Sequence, residues 1–193
     1  TAPITRFAKD LIALTARKEL PSLFASESES WNGDSYNLDI YTHDTWKILS
    51  FLMPGAYINK GTSLNVKVSS DGLVDASMKS QRLAMKTNNL QNISAIFSNR
   101  NGDFTGDITS TNARLAGFAF NDSHIKFLAD SDHFGLSCSY DNHSDMENRG
   151  ELVINGDLMR EDGELNASIS LLPSSLFFND RQWNIMPSSA RIC

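Results

Sequence analysis

Residues 62–78, TSLNVKVSSDGLVDASM, decide the fold of this chain. Leu64, Val66 and Val68 alternate with polar residues, and the same alternation returns after the Asp-Gly pair at 71–72. Alternation with a period of two gives a β-strand one apolar and one polar face, and Asp-Gly between two such runs is typical of a hairpin turn. The stretch therefore predicts two antiparallel strands that share one apolar face.

The same pattern continues along most of the chain. Alternating runs separated by turn residues predict about ten to twelve strands, and nothing in the sequence indicates βαβ units. Because chain neighbours joined by short turns pair antiparallel, we predict a mainly β protein built as one long antiparallel meander. Such a meander could form a sandwich, a barrel, or one long sheet curled into a U-shaped trough with an apolar interior.

The N-terminal part has a different pattern. Apolar residues recur at helical spacing over 4–24, and a polar stretch follows. A second short helix is predicted over 44–53, with Thr42 or Asp44 as its cap and Pro-Gly at 54–55 as its end. We therefore divide the chain into an N-terminal helix with a polar linker (1–33) and a sheet segment (34–193).

Composition excludes several classes of function. The net charge of −6 leaves no basic stripe to neutralise a phosphate backbone, so nucleic acid is not an expected partner. No apolar run reaches the roughly 18–20 residues of a membrane helix. The opening residues TAPITRF lack an initiator Met and a signal-peptide core, so we expect the chain to be a segment of a larger protein.

The sequence contains no recognisable catalytic or metal-binding motif. His143 with Asp141 and Asp145 has neither zinc nor EF-hand spacing, and we interpret it, like the cluster at 130–133, as a solvated turn. Cys138 alternates with apolar residues and is interpreted as a small core residue. We predict that the protein is not an enzyme and has no cofactor or metal, although distant strands could still bring together a glycosidase-like carboxylate pair.

The inward positions of the predicted strands are the remaining candidate site. These residues could form an ordinary hydrophobic core. Alternatively, they could line an open groove that binds lipid. The candidate groove residues are Leu64, Val66, Val68, Val74, Ala76, Met78, Phe104, Ile108, Phe134, Leu136, Ile154, Leu165 and Ile169.

The densest hydrophobic hairpin lies near the end of the chain, at 171–189. Leu171 continues the inward alternation of the preceding strand, Pro173 interrupts it, and Trp183 and Ile185 return on the far side of the turn. We interpret this hairpin as one more pair of strands, and we predict that it forms an edge of the sheet.

From about Leu38 to Ile192 the chain resembles the TamB family of translocation and assembly module proteins, particularly its Bacteroidetes-type members, and the wider AsmA-like group. The residues that carry the resemblance are ILSFLMPGAYINKGTSLNVKV (48–68), the alternating strands that follow, and SLLPSSLFFNDRQWNIMPSSARI (170–192). The resemblance covers about four-fifths of the chain and does not extend to the first thirty residues. The helical segments depart from the pure strand repeat of the family.

The resemblance implies a trough, the β-taco, that is polar outside and apolar within. It further implies a periplasmic location, an inner-membrane anchor in the parent protein and an Omp85-class outer-membrane partner. The implied function is passage of phospholipid between the membranes, with the acyl chains held in the trough, or help in outer-membrane protein assembly. Without the resemblance, a non-catalytic cell-surface β-sandwich for interaction or adhesion remains the alternative.

Overall fold

The computed structural model of the chain describes residues 17–24, 35–143, 148–178 and 180–192. Within these ranges the helices are α1 (Pro21–Phe24) and α2 (Trp46–Leu52), and residues 17–19 are also helical. The strands are β1 (Tyr36–Tyr41), β2 (Ala56–Ile58), β3 (Ser63–Val68), β4 (Val74–Met85), β5 (Asn88–Ser98), β6 (Phe104–Leu115), β7 (Phe118–Asp130), β8 (His133–Asp141), β9 (Arg149–Glu161), β10 (Glu164–Leu171), β11 (Ser174–Phe178), β12 (Arg181–Ile185) and β13 (Ser188–Ile192).

All thirteen of these strands belong to one antiparallel sheet. Its order is β1-β3-β4-β5-β6-β7-β8-β9-β10-β13, so most neighbours in space are neighbours in the chain. The strand β2 continues the line of β3 along β4, and β11 continues the line of β10 along β9. Across the described residues β1 and β13 do not pair with each other, and the sheet is therefore not closed into a barrel. The predicted long antiparallel meander is confirmed.

Tight turns with left-handed backbone join several strands. Both residues of the pairs Ala116-Gly117 and Asp162-Gly163 have positive φ. Two consecutive positive φ values define the type I′ turn, whose twist matches that of the strands it joins. This local chemistry explains how long strands can follow one another with so few connecting residues.

The second helix begins and ends close to its predicted limits. The Asp44 carboxylate accepts a hydrogen bond from the backbone N–H of Trp46 at 3.2 Å, and Thr45 occupies the N-cap position. At the other end Met53 donates to the Leu49 carbonyl, and Pro54 follows. Of the helix predicted over 4–24, residues 4–16 lie outside the described residues, and α1 forms its end.

The segment 17–24 is anchored on one rim of the sheet. Ser22 donates from its N–H and from its hydroxyl to the Asp132 carboxylate, both at 2.8 Å. The backbone N–H of Asp132 donates to the Glu19 carbonyl, and the Arg160 guanidinium donates to the Ser22 carbonyl at 3.1 Å. These bonds hold the segment against the turns that join β7 to β8 and β9 to β10.

Glu19 is the one acidic side chain in that segment, and it is buried. Its side chain is 3 % exposed, and Lys18 lies 3.6 Å from one carboxylate oxygen. Burial raises the pKa of Glu19 above its ordinary value, Lys18 opposes the change, and the charges of Asp130 and Asp103 add to it. A folded chain with a raised carboxyl pKa binds the proton more tightly than the unfolded chain does.

We expect Glu19→Gln to raise the melting temperature at neutral pH. The folded state loses stability as the pH rises from the pKa of this carboxyl in the unfolded chain to its raised pKa in the folded chain. Glutamine does not ionise and therefore removes this loss. The difference between variant and parent should shrink as the pH falls from the raised pKa of Glu19 towards 4.5, and it should be nearly absent below 4.5. Thermal unfolding at several pH values measures it, with the exposed Glu164→Gln as control. A lower melting temperature for Glu19→Gln at neutral pH would contradict the prediction.

The C-terminal hairpin extends the sheet at its edge. Ser174 lies opposite Ile185 in the β11–β12 pair, and Leu171 lies opposite Ser188 in the β10–β13 pair. Pro173 interrupts one side of the hairpin and Pro187 the other, since proline cannot donate to a ladder. Among the described strands β12 has β11 as its one partner, and β13 ends the strand order, as expected of an edge.

Candidate functional site: the apolar face of the sheet

Three apolar rows cross the sheet from strand to strand. Residues directly opposite each other in neighbouring strands point to the same face, so the register defines each row. The first row is Ile40, Leu64, Met78, Ala95, Ile108, Ile125, Cys138 and Leu152. The second is Leu38, Val66, Ala76, Phe97, Gly106, Phe127, Leu136, Ile154 and Leu171. Part of the third is Phe104, Ala129, Phe134, Gly156, Ile169 and Ala190.

The register places all thirteen candidate groove residues on this apolar face, but their exposure differs. Val66, Val68 and Val74 are 2 %, 3 % and 1 % exposed and form a core cluster with the β1 side chains Tyr36 and Leu38. These three valines therefore belong to a filled core. The other candidates are half-buried: Leu64, Ala76, Met78, Phe104, Ile108, Phe134, Leu136, Ile154, Leu165 and Ile169.

The opposite face carries most of the charged pairs of the strands. Asp107 lies opposite Lys126 in the register, and its carboxylate contacts the His124 ring nitrogen at 2.9 Å. Asp75 pairs with Arg100 and accepts a hydrogen bond from the Ser98 hydroxyl. Burial alone would raise the pKa of Asp75, but these two partners lower it. The sheet is thus polar on one face and apolar on the other, as the alternation predicts.

Glycines on the apolar face make room for aromatic rings. A Cβ atom on Gly106 would lie 2.8 Å from the Phe97 ring, and one on Gly156 would overlap the Phe134 ring. Each glycine is directly opposite the residue that covers it. The rings therefore lie flat over neighbouring strands and cover backbone that would otherwise be open to solvent.

The aromatic side chains form two groups along the face. In the first, Phe104 stacks on Phe97 at 6.2 Å between ring centroids and meets Phe127 edge-on at 5.9 Å. In the second, Tyr140 meets Phe120 edge-on at 5.1 Å and stacks on Phe178 at 5.7 Å. Burial raises the pKa of Tyr140, whose hydroxyl donates to the Phe177 carbonyl.

A band of polar side chains crosses strands β4 to β7 and continues to the residue before β3, and we call it the polar seam. It consists of Thr62, Ser80, Asn92, Ser110, Thr111 and Ser123. Asn92 and Asp122 adopt left-handed φ values of 48° and 42° within their strands. The Ser110 hydroxyl donates to the Gln91 carbonyl at 2.8 Å, and the Asn92 amide donates to the Thr111 hydroxyl at 2.9 Å. These side chains satisfy polar groups where the backbone ladder is interrupted.

The polar seam reverses the alternation of the strands. Phe127 and Phe120 are an odd number of residues apart and would point to opposite faces of a regular strand. Nevertheless Phe120 packs on Tyr140, which belongs to the apolar face, because the left-handed Asp122 lies between the two. A further apolar row therefore lies beyond the seam: Ile58, Leu83, Leu90, Ala113 and Phe120. Strict alternation along each strand does not predict this row, because the left-handed residues reverse it.

The residues considered for chemistry are separate and mostly exposed. His143 contacts Asp122 at 2.8 Å and Asp141 at 3.4 Å in a solvated turn, while Asp145 lies outside the described residues. Across the described ranges no group of three or more metal-ligating side chains converges. Cys138 is half-buried in the first apolar row, and burial raises the pKa of its thiol. Its low thiolate content makes it a packing residue and a poor nucleophile.

Comparison with known proteins leaves the family undecided. No family model, curated protein or solved structure matches the chain. Among the helices that the structure describes, none has the length and apolar character needed to cross a membrane.

Proposed function

We propose that the apolar face shields lipid acyl chains in transit between two membranes. The observation that carries this proposal is the second row, which runs across nine strands and includes the half-buried Leu136 and Ile154 on β8 and β9. An apolar surface that follows a sheet across its strands suits a long, flexible apolar ligand better than a compact one. No catalytic group is needed, since transfer along a surface breaks no covalent bond.

The area of the apolar face determines how much it can lower the free energy of an acyl chain in water. Shielding acyl chains from water is worth roughly 0.8 kcal/mol for each methylene group. The nine strands of the second row leave eight intervals, and at ~4.8 Å each they span about 38 Å. A strip of that length can cover much of an extended acyl chain, so the transfer of a lipid through water would become far less costly.

The resemblance to TamB and AsmA-like proteins supports a more specific version. In that version the chain is a segment of a periplasmic protein with an inner-membrane anchor and an Omp85-class outer-membrane partner. Its role would be phospholipid transport, or assistance in outer-membrane protein assembly. The open antiparallel sheet and its single apolar face are compatible with this proposal, and the helices are not a feature of the strand repeat.

A photo-crosslinking amino acid at Leu136 tests the proposal in cells. The expected result is covalent capture of phospholipid at position 136, and little capture at the neighbouring Ser137, which lies opposite Lys126 on the polar face. Mass spectrometry of the adducts identifies the captured lipid. Equal capture at both positions, or none at either, would contradict the proposal.

A non-catalytic interaction or adhesion module at the cell surface is the second candidate function. The observation that favours it is the filled core around Val66 and Val74, which resembles that of any folded domain. It predicts that added phospholipid changes neither the thermal stability nor the hydrogen exchange of the face. A stabilising effect of lipid would decide against it.

A further inference from the structure

One rim of the sheet carries an unusual number of exposed apolar side chains. This hydrophobic rim consists of α2 with the turns that join β4 to β5 and β6 to β7. Phe51 is 84 % exposed and Trp46 is 61 % exposed, although both are large apolar residues. The exposed apolar side chains of the rim are Trp46, Phe51, Leu52, Met53, Met85, Leu115 and Phe118.

The three parts of the hydrophobic rim are joined by backbone hydrogen bonds. The N–H of Lys86 donates to the Gly55 carbonyl at 2.8 Å, which ties the first turn to the residues after α2. The N–H of Ala116 donates to the Asn88 side chain at 2.9 Å, which ties the second turn to the first. The apolar side chains therefore project from one connected surface.

Basic residues are interspersed with these apolar side chains. Lys47, Lys86 and Arg114 are all exposed along the hydrophobic rim. The opposite rim has the reverse character, since its turns contain a series of aspartates. These are Asp71, Asp103, Asp130, Asp132 and Asp162. With Asp44 at the start of α2 counted, the hydrophobic rim carries three basic side chains and one acidic one, whereas the opposite rim carries these five aspartates beside Arg100 and Arg160. The hydrophobic rim is therefore the better complement to a negatively charged surface.

We propose that the hydrophobic rim docks the protein on a bilayer that contains anionic phospholipid. Tryptophan and other large apolar side chains of membrane-bound proteins insert at the level of the lipid headgroups. Neighbouring lysine and arginine side chains bind anionic lipids. The acidic rim of a second copy would satisfy the basic residues of the hydrophobic rim, but among the described residues it offers no comparable set of exposed apolar side chains. A bilayer surface satisfies both requirements.

This inference goes beyond acyl-chain shielding and does not depend on it. A rim can bind a bilayer whether or not the apolar face of the sheet holds lipid. If both are correct, the rim would bring the row Ile58, Leu83, Leu90, Ala113 and Phe120 close to the membrane, because that row lies between the rim and the polar seam.

Sedimentation of the whole chain with vesicles tests the proposal. The vesicles contain phosphatidylcholine alone or phosphatidylcholine with phosphatidylglycerol, and the second kind should bind the parent chain more tightly. The double variant Phe51→Ser and Leu52→Ser should weaken binding at least about tenfold. The matched control is Ile96→Ser with Leu128→Ser, two exposed apolar residues away from the rim, and it should bind like the parent.

Charge is tested separately by Lys47→Gln with Lys86→Gln. This variant should lose affinity for the anionic vesicles and keep its weak affinity for the neutral ones. Circular dichroism confirms that each variant remains folded. The proposal is overturned if the parent does not bind anionic vesicles, if the rim and control variants bind equally, or if the rim variant instead abolishes self-association of the parent. Lipid capture at Leu136 is measured independently, so either proposal can fail alone.

Discussion

Gly156→Val should destabilise the protein, although valine is one of the best strand-forming residues and glycine one of the poorest. The ring of Phe134 lies over Gly156, and even a single Cβ atom there would overlap it. The ring would have to leave its place on the sheet, since the backbone beneath it is fixed by the ladders to β8 and β10. Overpacking of this kind costs about 1–3 kcal/mol.

Thermal unfolding followed by circular dichroism measures this effect. A loss of about 2 kcal/mol corresponds to a melting temperature lower by roughly 4–8 °C in a chain of this size. Gly135→Val is the matched control, because a Cβ atom there would meet only the Asn155 side chain, at 3.4 Å. Adding Phe134→Leu to Gly156→Val should recover part of the loss. An increase in melting temperature for Gly156→Val would refute the packing explanation.

Leu136→Asn combined with Ile154→Asn should remove most of the lipid that the chain retains. The two side chains lie opposite each other on β8 and β9 in the second apolar row, and both are half-buried in the free protein. Each would contribute about 1 kcal/mol to the binding of an acyl chain, so their joint loss weakens binding about thirtyfold. The readout is the amount of phospholipid that copurifies with the chain, determined by native mass spectrometry.

The control for this experiment makes the same chemical change on the other face. Ile96 and Val153 lie opposite Asp107 and Ser137 in the register, and asparagine at both should leave lipid retention unchanged. If the two double variants lose lipid equally, the apolar face is not its binding surface. A parent chain that copurifies without lipid would count against acyl-chain shielding directly.

The fold could be predicted because the residues that specify each hairpin are close together in the sequence. Alternation at Leu64, Val66 and Val68, followed by Asp-Gly, predicts a hairpin, and the structure has that hairpin as β3 and β4. Successive signals of this kind lead to an antiparallel meander and assign the candidate groove residues to one face. The candidate residues share one face for this reason.

The polar seam was not predictable in the same way. A left-handed residue inside a strand has no strong local signal when it is asparagine or aspartate, because both are also ordinary turn residues. The signal that could have revealed it is the Ser-Thr-Asn run at 110–112 in the middle of an alternating stretch. Such a run, repeated at the same depth in neighbouring strands, indicates a coordinated break in the ladder.

The sequence also did not predict how exposed each side chain of the apolar face is. Val66 and Leu136 stand in the same row and have the same alternation, yet one is buried and the other half-buried. Alternation determines the direction of a side chain, and coverage depends on what packs above it. This is why the face was predicted as a whole while the core cluster within it was not.

Ten of the thirteen described strands pair with a strand adjacent to them in the chain, and this has a consequence for how the protein folds and varies in length. Low contact order of this kind favours rapid folding by successive addition of hairpins. As in repeat proteins, stability then grows as a sum of nearest-neighbour terms, with fraying at both ends. Insertion or deletion of a whole hairpin would therefore change how far the sheet extends without changing the packing of the other strands.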